Sequence, residues 1–264
     1  MNAIILAAGE GRRLRPLTNS IPKGMINFFG KSLLERQIEV FRKCKINDIT
    51  IVTGYCNESI TFSEITYFFN NKFSSTNMVE TLFCAEEKLF DSTIVSYGDI
   101  IFEVSVLEKL LKSDEDISIV VDKNWKKYWE MRFENPLEDA ESLTIDKMGF
   151  IQDIGRKVND ETKIEAQYIG LMKFQHDGIK FIKKFYNDVK SKSKLGKNLL
   201  NPDLPFEKSY LTDFIRALIN NNCKVKAVPI SNGWLELDSL DDYKLYEKLY
   251  QENKLTNLIS LEGD

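Results

Sequence analysis

The sequence predicts an α/β fold: a Rossmann-like, mixed but mostly parallel sheet with helices on both faces and an inserted β region. Two observations support this prediction: apolar strand patterns alternate with amphipathic helix patterns, and several strand patterns end at glycine. The first unit shows both, with a strand over residues 3–8, a helix over 33–45 and a strand over 49–54. A strand, helix and strand in succession form a βαβ unit, whose two strands lie parallel with a right-handed crossover.

The same alternation continues as far as residue 122. We expect a helix over residues 57–64, a strand over 65–69, a helix from the Asn77 cap to residue 89, a strand over 93–99, a helix over 104–112 and a strand over 117–122. Strands that alternate with helices of this length predict a doubly wound sheet.

The second half of the chain is less regular. Residues 123–141 are rich in aromatic and charged side chains and have no clean period. Beyond them we expect a hairpin of 142–146 and 150–154, a strand over 165–174, a helix over 178–189, an exposed loop over 191–204, a helix over 210–220, strands over 225–230 and 234–238, and a helix over 240–253. The tail after residue 254 is expected to be frayed or docked on a partner.

No repeat or linker divides the chain, so we predict a single domain over residues 1–264. Within it we distinguish residues 1–122, which carry the first βαβ units, residues 123–239, which contain the inserted β region, and a terminal helix with its tail over 240–264.

Composition excludes several classes of function. A net charge of -4 argues against nucleic-acid or anionic-membrane partners, which need a basic surface. The four cysteines lack C-x-x-C spacing and the chain has one histidine, which argues against a zinc site and a disulfide framework. Without a leader or a bilayer-length apolar run, the chain is expected to be cytoplasmic. Its aromatic content favours a homodimer.

The first strand leads into a loop rich in glycine and arginine, residues 8–15, which we call the phosphate loop. Glycine lets backbone N–H groups approach a ligand closely, and clustered arginines attract phosphate. The G-x-G-x-x-G fingerprint is incomplete because its third glycine position holds Leu14, and no P-loop motif is present nearby. The loop therefore predicts a site for a nucleotide triphosphate and argues against a dinucleotide.

The run from Leu6 to Leu14, followed by Pro16-Leu17-Thr18 and Pro22-Lys23, resembles the nucleotidyltransferase signature L-A-A-G-x-G-x-R-L-x-P-L-T…P-K. The resemblance implies that Arg13 and Lys23 are catalytic and place positive charge on the α-phosphate and the departing pyrophosphate. It also implies that backbone amides of residues 8–12 cradle the phosphates, whereas Arg15 is expected on the surface. The nucleotide-binding set comprises Leu6, Ala7, Ala8, Gly9, Glu10, Gly11, Arg12, Thr76, Asn77 and Gly98.

Asp99 and Asp238 each end a strand pattern. The carboxyl ends of parallel strands meet at a ligand crevice, and two carboxylates facing a triphosphate are an ordinary way to hold Mg²⁺. Each aspartate could instead cap a helix. In the resembled family both positions are metal ligands, which implies Mg²⁺ here, with Mn²⁺ as a substitute.

Two further segments refine the resemblance. Where sugar-nucleotide enzymes carry a Gln-x-x-Pro-x-Gly-type segment, residues 74–81 differ, and this departure matches the cytidylyltransferase branch. Asn77 and the backbone near Thr76 are candidates for cytosine contacts, and a plain N-cap is the alternative for Asn77. Residues 121–125, 132–141 and 164–171 resemble bacterial capsule enzymes that join CTP to L-glutamine phosphate. The inserted β region would then bind the acceptor, with candidates Lys123, Trp129, Arg132, Glu165 and Gln167; the alternative is aromatics packing a flap and charges facing water.

The resemblance thus implies a Mg²⁺-dependent cytidylyltransferase that transfers CMP from CTP to a phosphorylated small molecule and releases pyrophosphate. L-Glutamine phosphate, for capsular phosphoramidate synthesis, is the first candidate acceptor. Phosphocholine, 2-aminoethylphosphonate and a sugar 1-phosphate are the alternatives. A nucleotide-sensing subunit on the same fold is a more remote one, since it would bind CTP and release no pyrophosphate.

Overall fold

The computed structural model describes residues 1–261. The helices are α1 (Leu33–Lys43), α2 (Met78–Phe83), α3 (Val104–Leu111), α4 (Trp125–Arg132), α5 (Asp177–Ser193), α6 (Leu211–Asn220) and α7 (Leu240–Gln251). The strands are β1 (Asn2–Ala7), β2 (Asn27–Phe28), β3 (Lys31–Ser32), β4 (Ile49–Thr53), β5 (Thr66–Phe69), β6 (Ser92–Tyr97), β7 (Ile100–Phe102), β8 (Ile117–Asp122), β9 (Glu141–Ile145), β10 (Ile151–Lys157), β11 (Gln167–Gln175), β12 (Lys226–Ile230) and β13 (Trp234–Glu236).

A seven-stranded sheet forms the centre of the molecule, in the order β12-β8-β11-β6-β1-β4-β5. Neighbouring strands are parallel except β11, which runs antiparallel to both β6 and β8. β1 and β4 pair in parallel with Ala3 opposite Ile49, as expected for the first βαβ unit. The predicted fold class, a mixed and mostly parallel sheet, is confirmed.

Both faces of the sheet are covered by helices. Because side chains alternate along a strand, Ile5 of β1 packs into one core with residues of α1, α3 and α7, whereas Ile4 packs into the other with residues of α2, α5 and α6. The burial of β1 over its whole length follows from this double cover.

Helix α1 illustrates how the local sequence sets an element. Ser32 and Glu35 form a reciprocal capping box at its start, so two otherwise unpaired backbone N–H groups are satisfied. Leu34, Ile38 and Phe41 recur at helical spacing and are buried. The helix ends at Lys43, two residues short of the predicted end.

Three sequence predictions about elements were wrong or incomplete. The helix expected over residues 57–64 is only a 3-10 turn at Asn57–Ser59, since Ile60 after it is extended, with φ −99° and ψ 99°. α2 ends at Phe83 rather than at residue 89, and a separate 3-10 turn follows at Glu86–Lys88. Residues 123–141, which showed no clean period, contain α4.

The described part of the tail packs on its own chain. Leu255, Leu258 and Ile259 are buried, and the Leu258 carbonyl accepts a hydrogen bond from Gly233 N–H at 2.7 Å. The expectation of a frayed or partner-docked tail is therefore wrong for residues 255–261; residues 262–264 lie outside the described part. No helix within residues 1–261 is both long and apolar enough to cross a membrane.

Candidate active site

The phosphate loop is held in one conformation by its own contacts. Gly11 has φ +62°, in the left-handed region, and a Cβ there would lie 2.9 Å from the Cβ of Lys23. Glycine is therefore needed for both the backbone angle and the space. Thr18 Oγ1 donates to the Gly11 carbonyl at 2.8 Å, and the Tyr55 hydroxyl donates to the Asn19 carbonyl at 2.9 Å.

A cavity opens at the carboxyl ends of β1 and β6. Gly98 at its wall approaches β1 so closely that a Cβ would lie 2.7 Å from the Leu6 carbonyl oxygen. The lining includes nine residues that the sequence analysis singled out: Leu6, Ala7, Ala8, Gly9, Lys23, Thr76, Asn77, Gly98 and Asp99. It also includes four that the analysis missed: Gly24, Phe73, Met78 and Thr81.

The rest of the phosphate loop lies outside this lining. Arg12 Nε donates to Glu10 Oε2 at 2.6 Å, and Arg15 also pairs with Glu10, at 3.5 Å. The side chain of Arg12 is 72% exposed. Any contribution of Arg12 to a ligand in this arrangement would come through its backbone, as the sequence analysis expected.

Asn77 and Thr76 already have partners within the protein. Asn77 Oδ1 accepts the Met78 N–H at 2.8 Å and caps α2, which is the alternative the sequence left open. Thr76 Oγ1 donates to the Lys72 carbonyl at 3.0 Å and accepts from Asn70 Nδ2 at 2.9 Å. Both residues also line the cavity, so these contacts within the protein do not prevent them from contacting a nucleotide.

A short antiparallel pairing brings together three carboxylates from two distant segments of the chain. Ile100 of β7 lies opposite Glu236 of β13, and Leu237 N–H donates to the Asp99 carbonyl at 2.9 Å. As a result, carboxylate oxygens of Asp99, Glu236 and Asp238 lie within 4.8 Å of one another; we call these three residues the carboxylate cluster.

The two predicted cations contact this cluster. Lys23 Nζ lies 2.8 Å from Asp99 Oδ2 and 2.5 Å from Asp238 Oδ1, and Arg13 Nη2 is hydrogen-bonded to Asp238 Oδ2. Burial lowers the pKa of Lys23, but attraction to Asp99, Asp238 and Glu236 outweighs it and raises the pKa. Lys23 therefore carries its charge at neutral pH.

The carboxylates differ in protonation. Burial raises the pKa of Asp238, but Lys23 and Arg13 outweigh that effect and hold it below its usual value. Burial raises the pKa of Glu236 to about 7, against the opposing effect of Arg132 and with help from Asp238 and Asp99. The pKa values of the two carboxyl groups are therefore shifted in opposite directions, and Glu236 releases its proton near neutral pH.

The cluster fits a divalent cation. Asp99 Oδ1 is buried and has no hydrogen-bond partner among the described residues, which leaves a costly unpaired acceptor. Neither aspartate caps a helix, because Glu103 is the N-cap of α3 and Ser239 that of α7. Three carboxylates with a free oxygen are a donor set that Mg²⁺ and similar hard ions prefer. Glu236 was not among the predicted site residues, although its spacing of two from Asp238 in the predicted strand places both side chains on one face.

Arg132, an acceptor-site candidate, has a different role in the structure. Its side chain is 1% exposed, and Nη1 donates to Glu236 Oε2 at 2.8 Å while Nε donates to Asp242 Oδ1 at 2.9 Å. Asp242 Oδ2 in turn accepts the backbone N–H groups of Asp238 and Ser239. The structure thus corrects the expectation of a free phosphate-binding cation: Arg132 is a buried support for the segment that carries Glu236 and Asp238.

The other four acceptor candidates differ in their exposure to solvent. Trp129 is buried, with Nε1 donating to Asp139 Oδ2 at 3.0 Å, and Gln167 is buried against the backbone of Glu141. Lys123 is exposed, and exposed Glu165 accepts the Ile145 N–H at 3.2 Å. For Trp129 and Gln167 the structure therefore favours the packing alternative.

Glu141 is a carboxyl group that the sequence analysis did not single out. Among the described residues its side chain has no hydrogen-bond or ion-pair partner, and it is only partly accessible. Burial, and then the charges of Asp213 and Asp139, raise its pKa to about 7, against a smaller opposing effect of Arg216. An unpaired carboxyl in such surroundings costs stability once it ionises.

This cost predicts a pH-dependent effect of Glu141→Gln on unfolding. The folded pKa, about 7, lies above the ordinary value of 4.5, so the native state binds the extra proton between these values and stability falls as pH rises through them. The variant should gain at most about 3 kcal/mol over wild type at pH 8 and less than about 1 kcal/mol at pH 5. Thermal unfolding at both pH values measures this; an equal shift at both would contradict the assignment.

Comparison with known proteins places this site in a family context. Residues 3–140 match the MobA-like NTP transferase domain. The chain is 40% identical over 256 residues to the CTP:phosphoglutamine cytidylyltransferase of Campylobacter jejuni, covering 93% of this chain and 98% of that protein. It is also 36% identical over 117 residues to the choline-phosphate cytidylyltransferase of Streptococcus pneumoniae, covering 43% of this chain and 51% of that protein.

Two solved structures share the fold. One is the CTP:phosphocholine cytidylyltransferase from Streptococcus pneumoniae, with a TM-score of 0.71, 23% identity, and coverage of 94% of this chain and 98% of that one. The other is the inositol-1-phosphate CTP transferase from T. maritima, with a TM-score of 0.71, 20% identity, and coverage of 98% and 97%. At these identities the structures support the fold alone.

Proposed function

The chain belongs to the MobA-like NTP transferase family, and from that premise we propose that it is a cytidylyltransferase acting on a phosphorylated small molecule. It would transfer CMP from CTP and release pyrophosphate. The relative from Campylobacter jejuni, which matches along nearly its whole length, makes L-glutamine phosphate the first candidate acceptor.

The observation that carries this proposal is the meeting of Lys23, Arg13 and the carboxylate cluster beside one cavity. Cations suited to phosphate and carboxylates suited to a metal ion lie within hydrogen-bond reach of each other, although they come from segments more than two hundred residues apart. Such a convergence supports chemistry on a triphosphate, where charge must be balanced in the transition state.

We assign the roles as follows. Backbone amides of residues 8–12 bind the phosphates, and the cavity formed with Thr76, Asn77 and Gly98 takes the nucleoside. Lys23 and Arg13 turn from the carboxylates to the α-phosphate and the departing pyrophosphate. Nucleotidyltransferases of this family generally use a divalent metal. Asp99, Glu236 and Asp238 would hold it, with Mg²⁺ preferred and Mn²⁺ as a substitute, and it would supply positive charge to the reacting phosphates.

The reaction needs little covalent chemistry from the protein. An oxygen of the acceptor phosphate attacks the α-phosphorus in line, the bond to the β-phosphate oxygen breaks, and pyrophosphate leaves. The acceptor phosphate is already anionic, so no general base is required and no enzyme-bound covalent intermediate is expected. Positioning and charge stabilisation by Lys23 and Arg13 therefore supply the catalysis.

The two halves of the chain divide the substrates. We propose that residues 1–122 bind the nucleotide and that residues 123–239 bind the acceptor and supply the second part of the carboxylate cluster. Phosphocholine and 2-aminoethylphosphonate stay alternative acceptors, because a cytidylyltransferase for choline phosphate is among the relatives of part of this chain. A sugar 1-phosphate is a further alternative.

A pyrophosphate-release assay tests the proposal. Each of the four NTPs is combined with phosphorylated glutamine, phosphocholine, 2-aminoethylphosphonate and glucose 1-phosphate in the presence of Mg²⁺. We expect release with CTP and phosphorylated glutamine at a kcat/KM at least about tenfold above any other pair, the ratio that 1.4 kcal/mol of discrimination gives. CTP binding without release for any acceptor would support the nucleotide-sensing alternative instead.

A further inference from the structure

The start of β9 is fixed in position by an amide clamp. Glu141 N–H donates to Gln167 Oε1 at 3.1 Å, and Gln167 Nε2 donates back to the Glu141 carbonyl at 2.5 Å. Gln167 itself pairs with Asp122 at the carboxyl end of β8. Glu141 is thereby held at the same edge of the sheet as the cavity and the carboxylate cluster.

The side chain of Glu141 has no counter-ion within the described residues. Arg216 is the cation whose charge acts on Glu141, but its N–H groups have other acceptors. Nη2 donates to Asp213 Oδ1 at 2.6 Å, and Nη1 donates to the Gly155 carbonyl at 2.8 Å. Asp139 and Asp213 add negative charge to its surroundings, and both are committed to other donors. The carboxyl group of Glu141 thus has no protein partner and is still partly open to solvent, so it is available to a ligand from outside the chain.

A pair of tyrosines connects Glu141 with the carboxylate cluster. The rings of Tyr97 and Tyr168 meet edge to face with centroids 5.7 Å apart, and Tyr97 stands two residues before Asp99. The charges of Glu141 and Asp99 both act on Tyr97. The Tyr168 hydroxyl is buried and has no hydrogen-bond partner among the described residues. Tyr97, with the Tyr168 ring packed against it, therefore lies within electrostatic reach of both carboxylate sites.

We propose that Glu141 binds the ammonium group of the acceptor; this inference rests on the proposed function. The phosphate of the acceptor must lie near Lys23 and Arg13, so the opposite end of the molecule meets Glu141. The local charge there is negative, which favours a cation over a second phosphate, so the α-carboxylate of phosphorylated glutamine must point away from Glu141. Carboxylate oxygens accept hydrogen bonds, so a primary ammonium is favoured over a quaternary one.

The variant Glu141→Gln tests the proposal in the full chain. It removes the charge and keeps the shape, so KM for phosphorylated glutamine should rise on the order of 10- to 100-fold, the effect of losing a charge-assisted hydrogen bond. KM for CTP, and kcat at saturating acceptor, should stay within about twofold, since the lost contact is equal in the ground and transition states. Glu141→Asp should restore part of the affinity.

Glu138→Gln is the matched control, because it removes the same charge from an exposed position three residues away and should leave KM unchanged. An unchanged acceptor KM in Glu141→Gln would overturn the inference and leave the proposed function standing. Equal use by wild type of an acceptor without an ammonium group would overturn it as well. Wild type that releases no pyrophosphate with any acceptor would contradict the proposed function, and this inference with it.

Discussion

Replacing Asp99 with asparagine is expected to lower kcat by at least about 100-fold, because a charge needed in the transition state is lost while the shape is kept. Asp99 is the member of the carboxylate cluster with a buried and unpartnered oxygen, Oδ1, and its other oxygen contacts Lys23 at 2.8 Å. The asparagine amide is a weaker ligand for a divalent ion than the Asp99 carboxylate, and Lys23 would then contact one carboxylate fewer. Pyrophosphate release at saturating CTP measures kcat, and a Mg²⁺ titration should show a higher half-saturating concentration.

Asp188→Asn is the matched control, since Asp188 lies on the exposed face of α5 and forms no contact with the cavity. It should retain wild-type kcat and the wild-type requirement for Mg²⁺. Turnover near wild type in Asp99→Asn, with unfolding behaviour unchanged, would contradict the role assigned to Asp99. A loss of activity together with a large fall in melting temperature would instead indicate a structural role.

Local sequence predicted much of the site because the responsible residues are tied to strand ends. The phosphate loop follows β1 directly, and Gly98-Asp99 follows β6, a parallel neighbour of β1. Once both strands are recognised, the sheet itself brings the two loops to one edge. The same logic does not hold for Asp238, which follows β13, a strand outside the main sheet that pairs antiparallel with β7.

The parts that sequence could not predict depend on contacts between distant segments. Arg132 resembles a free cation in sequence, and only the approach of α7 with Asp242 shows that it is enclosed. Its hydrogen bonds to charged partners offset the cost of burying its charge. No local sequence pattern reveals these partners. The helix expected over residues 57–64 is limited to a turn, because Ile60 is extended and none of residues 57–59 is buried against a neighbour that would support a helix.

The tail and the acceptor side show the same limit. Apolar Leu255 and Leu258 could have covered a partner, and only the fold shows that the chain itself supplies the surface they cover. Glu141 looks like an ordinary charge in a charged stretch, and its lack of a counter-ion appears only when α6 and β11 are packed around it. The lack of a counter-ion is a property of the assembled fold, so it identifies candidate ligand contacts that motifs miss.

Replacing Lys23 with methionine is expected to lower kcat by at least about 100-fold as well. Lys23 Nζ lies 2.8 Å from Asp99 Oδ2 and 2.5 Å from Asp238 Oδ1. Its side chain lines the cavity and is only 13% exposed. Methionine keeps an unbranched apolar side chain and removes the charge, so the packing beside Gly11 is largely preserved. Steady-state pyrophosphate release gives kcat, and the KM for CTP shows whether binding changes with it.

The two parameters separate two roles for Lys23. If the charge of Lys23 acts mainly on the negative charge that develops on the leaving pyrophosphate, kcat falls and the KM for CTP changes little. A raised KM for CTP with an unchanged kcat would contradict this and would indicate that Lys23 contributes only to CTP binding. Lys180→Met, on the exposed side of α5, is the matched control and should behave as wild type. Because Lys23 and Asp99 are in direct contact, the double variant with Asp99→Asn should lose much less than the product of the single losses. If the loss of kcat in the double variant equals the product of the two single losses, Lys23 and Asp99 act independently. That result would contradict the proposal that Lys23 turns from the carboxylate cluster to the phosphates.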